Sequence, residues 1–440
     1  MDDIEVDVAV VGGGGAGVVA ALRASQNPGL VVGVFEKSTH HGSNTEISSG
    51  SLAAGGTKFQ RAAGISDSPS RHAEEILQAL ADPGMEPIVQ ALCEAAPQYV
   101  EWIDEDLGFA LDVGTDMPRA GMSVPRLHAD VLRRGGGELL NHLRQVLTAR
   151  DNVAFVDESP AVELITSNGG VDGVVVEQNG TRTNVHANTV VLATEGFAGN
   201  AQLMRQYCAD LGGPMYCGAS GSTGDAIAWL QELDVDFKNM ASCLRHGQVV
   251  ADHGTRVAPA LPFFGAVLLN DKAERFVDEM SMGYSSLAAV IQQQAGERAV
   301  MVWDHIAMEQ TLNTELMQTS IAAGAIRNFA TVDELAQWLG QDRQRIEDAL
   351  VPLDGRRALQ PPYHAAQLTH GVLCTQGGAV IDESGHILRT DGSAVRGLRG
   401  AGGVAVGLSG PHSKGYSSGN GLLTAFAMGW IVGNELAQGA

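Results

Sequence analysis

Val8-Ala-Val-Val-Gly12-Gly-Gly14-Gly-Ala-Gly17, followed by an apolar run over 18–23 and then Val31-Val-Gly-Val-Phe-Glu36-Lys37, decides the fold. A buried strand, a Gly-x-Gly-x-x-Gly turn, a helix and an acid closing the second strand form a dinucleotide site. Gly12 makes the tight turn. Gly14 lets the backbone approach a pyrophosphate seated on the helix N-terminus, and Gly17 lets helix and strand pack closely. Glu36 follows Gly17 by nineteen residues, the spacing at which a carboxylate accepts bonds from ribose hydroxyls. Its charge disfavours a 2′-phosphate, so NADP is not expected. With 55 Gly in the chain, a glycine motif alone arises easily by chance. The flanking strands and the placed acid give this one its weight.

The chain has 440 residues, more than one ordinary domain. Its 51 acids outnumber 28 bases, a net charge of −23. That balance argues against nucleic acid and anionic membranes as partners. Cys93, Cys208, Cys217, Cys243 and Cys374 are scattered without a Cys-x-x-Cys. No dithiol redox pair, iron–sulfur run or haem attachment is therefore expected, and reduced thiols in a cytoplasmic protein are. The opening Met1-Asp-Asp-Ile-Glu5 is acidic and leads straight into a strand, unlike a signal or transit peptide. No apolar run approaches a membrane span.

The strand–turn–helix–strand unit occupies 5–37. A Gly/Ser-rich loop follows over 39–56, then helices are predicted over 70–80, 86–105 and 129–149. A β-meander is predicted from 153–156, 161–166, 173–178 and 183–186, leading to a buried strand over 189–197. Ser222-Thr-Gly-Asp225 should cap a helix over 226–233. From 235 the pattern becomes mixed, with strands at 266–269 and 299–303 and helices at 285–295, 305–312, 332–339 and 343–350. This reads as a domain inserted over 235–352 between first-domain segments 1–234 and 353–440. His370 and Tyr363-His364 fall in the returning connection.

Three separated Gly-rich segments around one nucleotide fold exceed what NAD needs and point to FAD. The chain resembles the fumarate reductase/succinate dehydrogenase flavoprotein superfamily through Gly12–Gly17, Glu36-Lys37, Gly42-Ser43-Asn44-Thr45 with Ser49-Gly50, Ala193-Thr194-x-Gly196, Thr223-Gly-Asp225, Thr375-x-Gly-Gly378 and Gly419-Asn420. The resemblance implies an α/β fold: a Rossmann-like FAD-binding domain with an inserted α+β capping domain. It implies cofactor contacts from Gly12, Gly14, Ala16, Gly17, Glu36, Lys37, Ser43, Asn44, Thr45, Ser49, Gly50, Ala193, Thr194, Gly196, Asn200, Asp225, Gly402, Ser417, Ser418 and Leu422. Respiratory members attach FAD covalently to a His in the Ser-rich loop. Asn44 stands at that position, so non-covalent FAD is expected, and His40 and His41 read as exposed loop residues. No metal is implied.

Three charged functions of the dicarboxylate enzymes are missing. The cap Arg that follows their Arg-Phe-x-Asn-Glu motif is replaced within Arg275-Phe-Val-Asp-Glu279-Met-Ser-Met-Gly283-Tyr284. The Arg of their C-terminal motif is Tyr416, and the His before Thr-x-Gly-Gly is Cys374. Tyrosines at two of these sites look like the 3-ketosteroid dehydrogenase branch, where one Tyr takes a proton and another, with a backbone N–H, polarises the ketone. The match departs from that branch at Tyr416-Ser-Ser and at Gly283, and its third Tyr has no clear counterpart; Tyr99 is the one position considered. The resemblance thus implies Tyr284 and Tyr416 as catalytic residues, with Gly419, Asn420, Arg245, His246 and His412 toward substrate. The expected enzyme is an FAD-dependent oxidoreductase that introduces or reduces a C=C bond α,β to a carbonyl, on a 3-ketosteroid or a smaller cyclic ketone. Electrons would pass to an external acceptor.

Two alternatives stand beside it. One is a fumarate reductase-like enoate or dicarboxylate reductase using Arg245 and His246. The other is a flavoprotein that binds a ligand without turnover. A disulfide reductase is excluded by the lack of a Cys pair. A pyridine-nucleotide enzyme is disfavoured because no second Gly-x-Gly-x-x-Gly unit follows.

Overall fold

The computed structural model describes residues 2–115, 121–353 and 355–439. The chain divides into two compact units. The first comprises Met1–Asp210, Gly218–Cys243 and Cys374–Ala440, and the second Leu211–Cys217 and Leu244–Leu373. The backbone therefore passes between units after Asp210, Cys217, Cys243 and Leu373.

The first unit is built on a sheet ordered His386–Leu388, Ala394–Gly400, Thr181–Leu192, Asp2–Val11, Val32–Phe35, Val153–Val156. From Ala394–Gly400 onward these neighbours run parallel. Val8, Ala9, Val10 and Val11 are buried, as an apolar strand covered on both faces requires. Register brings Val11, Phe35 and Leu192 level, and Gly400 level with Leu192. Gly12, Glu36, Ala193 and Ala401 consequently emerge together at the carboxyl edge, where open α/β sheets bind ligands.

Helix Gly15–Ala24 packs on the closing helix Asn420–Gln438. A Cβ on Gly429 would come 2.4 Å from Ala16 O, and one on Gly433 2.5 Å from Ala20 O. The two glycines, one helical turn apart, let the backbones approach this closely.

Three features differ from the sequence reading. Thr181–Leu192 is one continuous strand, because its pairing with Asp2–Val11 carries through the polar stretch between the two expected segments. Val153–Val156 leaves the meander and pairs with Val32–Phe35. Leu127–Asp130 is a strand, and the helix begins only at Gly136. Arg133 and Gly135 have φ of 57° and 90°, which breaks a helix there. Pairing with Leu52–Ala53 and Leu111–Val113 overrides the helical spacing.

The second unit centres on the long strand Tyr363–Thr375 and carries its own apolar core, including Met301, Trp303 and Leu368. Met215–Tyr216 joins this strand in parallel, and Arg298–Asp304 and Arg327–Phe329 in antiparallel. Tyr363, His364 and His370, expected in a connection, are thus strand residues, since each side of this strand finds a pairing partner. The helices Tyr284–Gln292, His305–Thr311, Val332–Leu339 and Arg343–Ala349 match the reading, and Glu315–Ala322 is an additional one. No helix among the described residues is long and apolar enough to cross a membrane.

Candidate active site

The turn after the first strand has the shape its glycines foretell. Gly12 holds φ of 109°, and a Cβ there would meet Ala193 O at 2.6 Å. A Cβ on Gly17 would meet Gly12 O at 2.0 Å. Gly14 caps helix Gly15–Ala24 without any side-chain bond. Among the described residues the first helical N–H groups therefore have no side-chain cap, at the positive end of the helix dipole. A cleft opens beside them, walled by Gly12, Gly14, Glu36, Lys37, Ser43, Ala193, Thr194 and Asp225. Eight expected cofactor residues thus share one surface. Thr194 Oγ1 is buried on this wall with no hydrogen-bond partner among the described residues. An orphaned hydroxyl, an uncapped helix start and a carboxylate ending the second strand fit a dinucleotide cofactor. FAD held here would place its pyrophosphate on the turn and its ribose toward Glu36.

Each side chain is fixed in advance. Glu36 accepts from Gly13 N at 2.6 Å and from Ser38 N at 2.9 Å. Lys37 Nζ donates to Gly221 O, Thr223 Oγ1 and Asp225 Oδ2, each at 2.8 Å. Asp225 opens helix Asp225–Glu232; its N-cap is Gly224, in the left-handed region, in place of the expected Ser-Thr-Gly side-chain cap.

Asn44 is tied to a residue that the motif left as "x". Its N–H donates to Glu195 Oε1 at 2.8 Å, and its amide bonds Glu195 Oε2 and Ser222 Oγ. Burial pushes the Glu195 carboxyl up, with the Glu36 charge adding to it, against the bonds from Asn44 and Ser222. Arg144, also unread from the sequence, donates to Gly13 O at 2.9 Å from behind the turn. His41 rims the cleft and contacts Ser220 Oγ at 3.0 Å, while His40 is exposed.

Other expected cofactor residues also make contacts within the fold. Asn200 caps helix Ala201–Tyr207 and bonds Thr223 O. Gly50 packs on the Gly135–Gly136 backbone, and Gly196 against Thr375 Oγ1. Thr45 is buried beneath Gly15, Ala16 lies against Gly402, and Ser49 is exposed, bonded to Ser51.

The C-terminal motif leads into helix Asn420–Gln438. Tyr416 is half-buried, its N–H bonded to Ser413 O at 3.0 Å. Ser417 and Ser418 are buried. Gly419 caps the helix with φ of 86°, where a Cβ would strike Ala53 at 2.8 Å. Asn420 Nδ2 donates to Leu408 O, leaving Oδ1 buried without a partner among the described residues. Leu422 is half-buried two residues further on. The side chain of His412 lies outside the described residues. Tyr99 is fully buried against Phe426 in the core, which removes it from consideration as a site tyrosine.

In the second unit Tyr284 is the first residue of helix Tyr284–Gln292, after Gly283. Its ring stacks on His246 with centroids 4.7 Å apart and planes 19° from parallel. Burial, then the charge of Arg256, holds the His246 imidazole well below the ordinary histidine range. His246 Nδ1 accepts from Gln248 N at 3.1 Å, which assigns the ring proton to Nε2. Arg245 turns elsewhere, donating to Gln292 Oε1 at 2.7 Å and meeting His370 Nδ1 at 3.2 Å. Arg256, absent from the sequence reading, is desolvated with Tyr284 in Coulombic range. Its His253-Gly-Thr-Arg256 setting carries no motif by which it would have been found.

The sulfurs of Cys208 and Cys243 lie 3.4 Å apart without a disulfide between them. The fold thus assembles a close dithiol that Cys-x-x-Cys spacing did not announce.

The FAD binding domain family matches residues 7–422. NADH:fumarate oxidoreductase of Klebsiella pneumoniae (strain 342) is 29% identical over 456 residues, covering 99% of this chain and 48% of that protein. The chain therefore spans about half the length of that relative. The open conformation of a flavocytochrome c3 fumarate reductase superposes with a TM-score of 0.83 at 24% identity, covering 99% of this chain and 78% of that one. The 3-ketosteroid Δ1-dehydrogenase from Sterolibacterium denitrificans superposes with a TM-score of 0.81 at 21% identity, covering 99% and 100%. The two superpositions show the same FAD-binding α/β fold. The chain belongs to the FAD binding domain family and is homologous to FAD-dependent oxidoreductases of the fumarate reductase type.

Proposed function

We propose that this protein is an FAD-dependent oxidoreductase that introduces or reduces a C=C bond α,β to a ketone, on a 3-ketosteroid or a smaller cyclic ketone. The observation that carries it is the Tyr284–His246 stack. A phenol at a helix start, packed on a neutral imidazole, suits proton transfer at a carbon better than it suits gripping a dicarboxylate. Tyr284 holds and moves the α-proton. Tyr416 and a backbone N–H near Gly419 polarise the carbonyl, so that the developing enolate is stabilised. Bound FAD supplies two-electron acceptance.

We also infer that FAD is held without a covalent bond, since Asn44 spends its side chain on Glu195 and Ser222. Acid precipitation should release all yellow colour into the supernatant. Five cysteines outside any disulfide support a reducing compartment such as the cytoplasm.

The test is anaerobic flavin absorbance after adding a 3-ketosteroid, a substituted cyclohexanone or succinate. Bleaching by a ketone, slowed about 10²- to 10⁴-fold in Tyr284→Phe with flavin content unchanged, is the expected result. A Tyr284→Phe variant with full turnover would sink the proton-transfer role. One observation favours a second reading, reduction of an unsaturated acid: the desolvated Arg256 is a cation of the kind a substrate carboxylate needs. Bleaching by succinate alone, with reoxidation by fumarate, would establish that reading instead.

A further inference from the structure

We propose that Cys208 and Cys243 are a modification site, where hydrogen peroxide joins the pair in a reversible disulfide that closes the segment between them into a covalent loop. The inference goes beyond the ketone chemistry above and does not depend on it. The two sulfurs lie 3.4 Å apart, in residues 3% and 0% exposed. A disulfide spans about 2.05 Å, so each sulfur has to move by about 0.7 Å. The backbone is held on both sides. Cys208 ends helix Ala201–Tyr207, its N–H donating to Met204 O at 2.8 Å and its Sγ to Met240 O at 3.6 Å. Cys243 opens strand Cys243–Val250, and its carbonyl accepts from Ser413 Oγ. Just before it, Gln376 N donates to Ser242 O at 2.7 Å. Two anchored elements therefore present the pair. A metal is the poorer occupant, because no group of three or more metal-ligating side chains exists among the described residues.

The hydrogen bond with Cys243 holds the Cys208 thiol below its ordinary range, against burial and the Asp210 charge. Burial instead pushes the Cys93 and Cys217 thiols up to about 12 and about 11. Cys208 thus has the larger thiolate fraction, and the pair's burial favours a small neutral oxidant. The Cys208 thiolate attacks one peroxide oxygen and the O–O bond breaks. Cys208 becomes a sulfenic acid, and the departing hydroxide takes up the proton that its thiol released. The Cys243 sulfur then attacks the Cys208 sulfur. The S–S bond forms, and the sulfenic oxygen leaves as water with the Cys243 proton. Both thiols are oxidised, and the peroxide is reduced to water. The two cysteines stand 35 positions apart in the chain. The loop they close carries Ser222, Thr223 and Asp225, which Asn44 and Lys37 bond beside the cofactor cleft. It also carries Met215–Tyr216, which pairs with Gly371 and Val372.

The experiment uses the whole chain with its flavin bound, reduced with dithiothreitol and then freed of it. Thiol counting and non-reducing peptide mass mapping follow exposure to hydrogen peroxide. The expected result is a fall from five thiols to three, the pair being lost. One cross-link should join the peptides that contain Cys208 and Cys243, and dithiothreitol should restore the full count. Cys208→Ser should form no cross-link at Cys243. Retention of all five thiols, under peroxide that oxidises free cysteine in the same solution, overturns the proposal. So does a cross-link that runs through Cys93, Cys217 or Cys374 in place of the pair. Sulfinic acid at Cys208 with Cys243 still a thiol overturns it as well. The wild-type mapping does not require the variant to fold.

Discussion

Among single residues, buried histidines set the strongest expectation for solution behaviour. His72 and His128 are 1% and 0% exposed, and burial pushes both down to about 4 from 6.5. Neither ring binds a proton in the folded protein until well below the pH at which the unfolded chain does. Their contribution is therefore complete above pH 6.5 and is lost as pH falls toward 4, about 3 kcal/mol each at the limit. Thermal unfolding followed from pH 7 downward should show the melting temperature falling already through this window. His72→Leu should flatten the profile, because neither of its ring nitrogens has a partner among the described residues to lose. Tyr284 and Tyr416 were singled out in sequence because they stand where the resembling family carries charged residues inside recognisable motifs. Arg256 and Glu195 were not. One sits in a stretch without a pattern, and the other fills a position that the motif leaves open. Only the chain's return in three dimensions gives either a neighbour worth naming.

At the level of elements, legibility followed the period of the hydrophobic pattern. The turn Gly12–Gly17 and the helices Pro69–Leu80 and Glu86–Glu105 stood where spacing put them. Leu127–Asp130 did not, since cross-strand partners more than fifty residues apart outbid a local helical repeat. The helix pair of the first unit makes its own prediction. Gly429→Ala would place a Cβ 2.4 Å from the carbonyl oxygen of Ala16, and backbone on both sides leaves nothing flexible to yield. The helix Gly15–Ala24 must then shift, taking the Gly12–Gly17 turn with it. Expected outcomes are a lower melting temperature and a purified protein poorer in flavin, measured as the ratio of visible to ultraviolet absorbance. A variant that keeps full flavin content and stability would show that the two helices tolerate separation.

For the whole molecule, the decisive feature is how the second unit is assembled from the chain. Residues 244–373 supply most of it, but Met215–Tyr216 arrives from a separate segment to pair with Gly371 and Val372. An expressed fragment of 244–373 should therefore expose that strand edge and self-associate, which size-exclusion chromatography would detect. Supplying a peptide of 211–217 should reduce the association. A single excision cannot remove this unit cleanly, and a single insertion cannot deliver it. Chimaeras that trade substrate preference between relatives will need two coordinated junction pairs. A lineage carrying such an interleaved unit alters it by changing residues in place more readily than by exchanging modules.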